Sequence, residues 1–286
     1  ANESVFGPSQ LAMEEMKKAM NSIWMYGDPE NHDLKNAIAK KHNLGSKNIL
    51  VGEGIDGILC YLVRMFIEKG DKVVTTDGSY PTFNYHVNGF GGILEKCKFK
   101  NDHEDLDELL EKANSCKAKI IYVSNPNNPM GTFNTAKSIE NIVQNLGDDI
   151  ILCLDEAYAD FVPNYALPRI SECNKNVLRM RTFSKAYGLA GARVGYCIGH
   201  PDVISSFDKV RNHFGMCRIS QIGALTSLED KNHLNTVVEK VKNSIKQLGI
   251  IAKENGCKFI PTHTNFLAID CGYNEVFAKN VLNSLV

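Results

Sequence analysis

The sequence predicts an α/β protein: a large domain with a mostly parallel sheet between helices, followed by a smaller α+β domain. Three observations predict it. Short, near-continuous apolar runs recur through residue 199, as expected of strands covered on both faces. Helical periodicities lie between many of these runs, and strands alternating with helices argue for parallel order. Beyond about Phe214 the texture changes to one long amphipathic pattern and two short strand-like segments.

The strand-like runs are Lys72–Asp77, Gly92–Phe99, Lys119–Pro126, Asp149–Tyr158, Asn176–Lys185 and Arg193–Gly199. Ile58, Leu59, Leu62, Val63, Phe66 and Ile67 repeat at i, i+3 and i+4, which predicts a helix that Gly70 is placed to end. Leu106–Ala113 and Ala136–Leu146 are the next helices expected. Asn232–Gly256 reads as one long amphipathic helix, and Cys257–Ile260 and Thr264–Asp270 as strands. The expected division is an N-terminal arm over 1–25, packing with the small domain or a partner subunit, a large domain over 26–214 and a small domain over 215–286.

Composition narrows the function. The 286 residues are 43% hydrophobic and 23% charged, with a net charge of -1, as in ordinary globular proteins. That charge gives no bulk electrostatic case for nucleic acid or an anionic membrane. No apolar run approaches a membrane span, and no charged-then-apolar leader is visible. Nine cysteines without a C-x-x-C pair predict reduced thiols in a cytoplasmic protein, and the eight histidines show no metal-ligand spacing.

Four segments place polar groups where strands end, which is where open α/β sheets bind ligands. "SNPNNPMG" (Ser124–Gly131) offers the Asn128 amide, although an Asn/Pro turn explains it equally. "LDEAY" (Leu154–Tyr158) ends an apolar strand with Asp155 and adds the Tyr158 phenol; a lone Asp there is more often a helix cap. "RTFSKAYGLAGARVGY" carries Lys185 between Ser184 and Arg193. A partly desolvated lysine can form a Schiff base with a carbonyl, and the flanking hydroxyl and cation suit a phosphate. A snorkelling lysine is the ordinary alternative. "GEGIDG" (Gly52–Gly57) opens the periodic helix, where free N–H groups attract phosphate, or is simply capped. Together the four describe one ligand: an aldehyde for the lysine, a ring nitrogen for the acid, a ring oxygen for the amide and phenol, and a phosphate. Pyridoxal phosphate has all four.

With "YGDPE", "GEGID", "SNPNNPMG", "LDEAY" and "TFSKAYGLAGARVGY" in this order, the chain resembles the fold-type I pyridoxal-phosphate-dependent aminotransferases of class I/II. It is most similar to the histidinol-phosphate aminotransferase group, from Asn2 to about Asp270. The resemblance implies a covalent link from Lys185 to the cofactor, Asp155 at the pyridinium nitrogen, and Asn128 and Tyr158 at the ring hydroxyl oxygen. It implies Ser184, Arg193 and the backbone of Gly54, Ile55 and Asp56 at the phosphate. Tyr80 would stack on the ring, with Phe83 as the alternative. Tyr26 would reach the phosphate of a neighbouring subunit, making a homodimer. Lys185 would move the α-proton between an amino donor (histidinol phosphate or an L-amino acid) and the cofactor, and a 2-oxo acid would accept the amino group. No metal is implied.

The sequence departs from that family in two places. No arginine follows Arg218, where the family carries a late substrate-carboxylate arginine, so a C-terminal segment is expected to be missing. Met130 stands where Thr is usual. A lyase or decarboxylase of the same fold, similar to threonine-phosphate decarboxylase, is the alternative reaction. A non-catalytic cofactor-binding protein is a third reading, opposed by the intact Lys185, Asp155, Asn128 and Tyr158. The cations in Arg211–Ala224 can bind a substrate anion or remain surface charges.

Overall fold

A computed structural model describes residues 2–169 and 174–285. The apolar runs form a seven-stranded sheet: β1 (Ile49–Gly52), β2 (Lys72–Thr76), β3 (Ile93–Cys97), β4 (Ile120–Ser124), β5 (Ile151–Asp155), β6 (Val177–Thr182) and β7 (Gly195–Ile198). Their order is β1-β7-β6-β5-β4-β2-β3. Only β7 runs against its neighbours, pairing antiparallel with β1 and β6; the other four pairings are parallel. β4 and β5 are almost continuously apolar because both faces are covered. Every residue of β4 is buried, as are all but the first of β5. The edge strand β3 is less buried: Ile93 and Lys96 are exposed, Leu94 and Glu95 half-buried, and Cys97 is sealed.

Helix α3 (Gly54–Phe66) covers one face. Ile55, Ile58, Leu59, Leu62 and Val63 are buried in a cluster with Phe83, Tyr122 and Met180. Burying each such side chain stabilises the fold by about 1.5–3 kcal/mol. The opposite face carries α5 (Leu106–Cys116) and α6 (Ala136–Gln144), whose Leu109, Ala113, Ile139 and Ile142 pack on Val74, Ile121 and Leu152. Gly70 does not end α3. The helix stops at Phe66, because Ile67 is already extended, and Gly70 sits with φ +93° in the turn before β2. The run 92–99 likewise breaks, giving β3 and then a two-residue strand at Phe99–Lys100.

The long amphipathic helix spans Lys231–Glu254 (α9), and a two-residue antiparallel pair, Lys258–Phe259 with Ile269–Asp270, follows it. The first helix, α1 (Gln10–Ala19), packs against α8 (Arg218–Glu229), and α2 (His32–His42), α4 (Thr82–Gly89) and α7 (Pro201–Ser206) complete the series up to α9. No helix among the described residues is long and apolar enough to cross a membrane.

Candidate active site

The carboxyl ends of β4, β5 and β6 open onto a cavity of about 370 Å³. Strand register explains the convergence, since Ser124 pairs with Asp155 and Asp155 with Met180, so the segments that follow leave the sheet together. Asp155, Tyr158, Asn128, Ser184, Lys185, Arg193, Tyr80, Ile55 and Asp56 all line this cavity.

Asp155 forms the buried floor. Its Oδ2 accepts from the Tyr122 hydroxyl at 2.6 Å and its Oδ1 from the Ala157 N–H at 3.0 Å. Burial pushes the carboxyl above its usual range; those two donors and the Lys185 charge oppose the rise. A buried carboxylate so placed favours a cationic partner in the cavity. Lys185 stands opposite. Its Nζ donates to the Asn2 carbonyl at 3.3 Å and lies 5.5 Å from the Tyr158 ring centre. Burial holds its ammonium below the ordinary lysine range, which raises the nucleophilic neutral fraction.

The asparagines of "SNPNNPMG" divide their work. Asn125 bonds both backbone groups of Asn134, and Asn127 spans from Ser79 Oγ to the Met130 N–H. Asn128 is left to face the cavity, with its Nδ2 3.5 Å from the Tyr158 hydroxyl. Asn2 Nδ2 also donates to that hydroxyl, at 3.2 Å. Burial pushes the Tyr158 phenol up to about 12, so it keeps its proton and can donate it to a ligand oxygen. Gly131, with φ +77°, ends the turn where only glycine fits, because a Cβ there would lie 2.2 Å from Thr262 Oγ1.

The other end of the cavity is cationic. Arg193 adopts a left-handed conformation (φ 54°) after the turn Ala190–Ala192, and its Nη1 donates to Ala190 O at 3.0 Å. Its guanidinium crosses the start of α3, where a Cβ on Gly54 (φ +77°) would meet Nη2 at 2.5 Å. A permanent cation and the free N–H groups of a helix start then face one point, an arrangement suited to a phosphate.

Two expected residues lie elsewhere in this chain. Tyr26 is 77% exposed, outside the cavity, with its ring 4.9 Å from that of Phe214. Phe83 is wholly buried and stacks on Tyr122 at 4.6 Å, so Tyr80 is the aromatic that reaches the cavity. Arg211 is committed to Glu30, Asp208 and the Pro29 carbonyl, and Arg218 donates to the Tyr26 carbonyl. Sequence reading missed Tyr122, Asn2 and Glu104. Glu104 is buried against Ser79 Oγ and the Ser124 N–H, beneath the loop that carries Asn128. The "IIYVS" strand is buried at every position, so no alternation marks Tyr122, and Asn2 and Glu104 carry no local signal either.

The family model for aminotransferase class I and II matches residues 1–284. The chain belongs to this family. It is 32% identical to the histidinol-phosphate aminotransferase of Moorella thermoacetica over 275 residues, 94% of this chain and 71% of that protein. It is 30% identical to that of Staphylococcus epidermidis over 286 residues, 99% of this chain and 81% of that protein. Among solved structures, the Sinorhizobium meliloti histidinol-phosphate aminotransferase in complex with pyridoxal-5'-phosphate aligns with a TM-score of 0.98 at 45% identity. The alignment covers 100% of this chain and 78% of that one. The Thermus thermophilus aspartate aminotransferase with maleate, at 20% identity and a TM-score of 0.86, shares the fold.

Proposed function

We propose that this aminotransferase moves the amino group of L-histidinol phosphate to a 2-oxo acid, with pyridoxal 5'-phosphate as its cofactor. The observation that carries this reading is the 45% identity and TM-score of 0.98 to a histidinol-phosphate aminotransferase solved with pyridoxal phosphate. The residues of the cavity fit that cofactor. A buried carboxylate, Asp155, lies at one end, and Arg193 crosses the α3 start at the other. Tyr158 and Asn128 supply polar contacts, and Lys185 supplies the amine.

When bound, pyridoxal phosphate supplies an aldehyde that captures the donor's amino group and a ring that withdraws electrons from its α-carbon. The chain does the rest. Asp155 holds the proton on the ring nitrogen, aided by Tyr122 and the Ala157 N–H, which keep its charge in place. Tyr158 and Asn128 bind the ring oxygen. Ser184, Arg193 and the backbone of Gly54, Ile55 and Asp56 would hold the phosphate, and Tyr80, which lines the cavity, would contact the ring. With the cofactor in place, Lys185 Nζ would take the proton from the donor α-carbon as base, hold it, and give it up again as acid.

The domain division 1–25, 26–214 and 215–286 belongs to this reading. So does a homodimer in which Tyr26 reaches a neighbouring site; exposed Ile23, Trp24, Tyr26 and Phe214 support an interface there. The reading extends to a cytoplasmic enzyme, supported by the free cysteines among the described residues.

The test is amino transfer from a panel of donors to 2-oxoglutarate. L-Histidinol phosphate is expected to give the highest kcat/KM. A preference for another amine would overturn the substrate assignment, and amine consumption without a 2-oxo acid would mean lyase chemistry instead.

A further inference from the structure

Behind the active-site rim, a small strand pair brings two cysteines together. Lys258 pairs with Asp270 and Phe259 with Ile269, antiparallel. One step outward, the same register sets Cys257 opposite Cys271. The Ile260 N–H donates to Ala268 O at 3.0 Å, so the alternation makes Cys257/Cys271 a non-hydrogen-bonded pair. Cys257 agrees, since its N–H turns away to Ala252 O at 2.9 Å, at the end of α9. In such pairs the Cα atoms are about 4.5 Å apart and the side chains approach closely. Disulfides span Cα separations of about 4.4–6.8 Å. The Cys257 thiol donates to the Asn255 carbonyl at 3.7 Å, and burial, with the Cys257 thiol beside it, pushes the Cys271 thiol up from its ordinary range. Both are half-buried, within reach of a small oxidant, whereas Cys97, Cys153 and Cys197 are sealed in the core.

The loop between these cysteines touches the cavity rim. His263 N–H donates to Gly131 O at 2.9 Å, and Asn265 Nδ2 donates to Asn2 O at 2.9 Å. Phe266 sets its edge on the Tyr158 ring at 5.4 Å. A covalent clamp at the loop's base therefore restrains a contact to Tyr158, which lines the cavity, and contacts to Gly131 and to Asn2, whose side chain and carbonyl bond Tyr158 and Lys185.

We propose that Cys257 and Cys271 form a redox-responsive modification site: a reversible disulfide that clamps the loop over the active-site rim. The oxidant class is a hydroperoxide. One thiolate attacks the peroxide oxygen, giving a sulfenic acid with release of water from hydrogen peroxide. The second thiol attacks the sulfenic sulfur, forming the S–S bond and releasing a second water. Two thiols are oxidised and one peroxide is reduced, with both thiol protons ending in water. A small-molecule thiol reverses the bond by exchange.

The test treats the cofactor-loaded full chain with hydrogen peroxide, alkylates the remaining thiols and digests with trypsin, which cleaves after Lys258 between the two cysteines. The expected product is a linked peptide pair, lighter by two hydrogens, that dithiothreitol separates and that Cys271→Ser lacks. Hydrogen exchange at Thr262–Phe266 is expected to slow several-fold in the oxidised protein and to recover on reduction. Full alkylation of Cys257 and Cys271 while exposed Cys217 is already oxidised would overturn the site. A linked pair with unchanged exchange at Thr262–Phe266 would overturn the clamp.

Discussion

Tyr122 donates its phenolic hydrogen to Asp155 Oδ2 at 2.6 Å, across adjacent parallel strands and 33 residues of sequence. Burial keeps the Tyr122 phenol far above its ordinary range, so it is always a donor. Its effect is to favour the charged form of Asp155 where burial disfavours it. The bond thus acts on the group assigned to the ring nitrogen without touching the cofactor.

Tyr122→Phe should raise the Asp155 pKa further. A hydrogen bond to a charged group contributes about 1.5–3 kcal/mol, so cofactor affinity should fall about 10- to 100-fold. The acidic limb of the pH–rate profile should move to higher pH, because a carboxyl with a raised pKa ionises later. An unmoved limb together with unchanged cofactor affinity would make Tyr122 a packing residue only.

Gly54→Ala puts a Cβ into the Arg193 guanidinium and forces an alanine to φ +77°. The left-handed backbone alone costs roughly 1–2 kcal/mol. Cofactor titration should show affinity weakened about tenfold or more. Normal affinity beside a lowered Tm would separate this helix start from the phosphate.

Glu156 is 1% exposed and bridges Arg179 at 2.8 Å and Arg181 at 2.7 Å. Glu156→Gln leaves two cations facing a neutral amide, and breaking such a buried pair costs about 3–5 kcal/mol. Urea unfolding of the variant should report a loss of that size, and a loss well below it would mean that water already solvates the cluster.

Glu104 gives the fold a pH dependence of its own. Burial pushes its carboxyl up to about 8 from an ordinary 4.5. The native state therefore keeps a proton that the unfolded chain releases above about pH 4.5. Its contribution to stability is complete below that pH and declines as pH rises toward 8. Glu104→Gln should flatten unfolding free energy against pH across this window; an unchanged slope would place the titration elsewhere.

Much of this was readable from the residues. β2 and β6 are as buried as β4 and β5 but mix Lys, Thr and Arg into the run, whereas β4 and β5 announce themselves because both faces are buried and their sequences are almost continuously apolar. β1 did not, since four residues between a turn and a glycine give too little pattern to separate from the α3 start. The misplaced end of α3 has a similar cause: Gly70 is a turn glycine, while Ile67 leaves the helix for tertiary reasons that no cap residue signals. In the site, Lys185, Asp155, Asn128 and Arg193 stand in local motifs at strand ends. Tyr122, Asn2 and Glu104 reach the site through strand register and arm packing, and their sequence neighbours say nothing of that.

The measurement that bears most directly on the assignment is chemical. The protein would be loaded with pyridoxal phosphate, reduced with borohydride, digested and mapped by mass spectrometry, with Lys185→Ala treated in parallel. Lys185 should carry the reduced cofactor, and the variant should carry none while turning over no donor. Cofactor fixed to a different lysine, or turnover by the variant at a comparable rate, would contradict the role given to Lys185 and with it the active site described above.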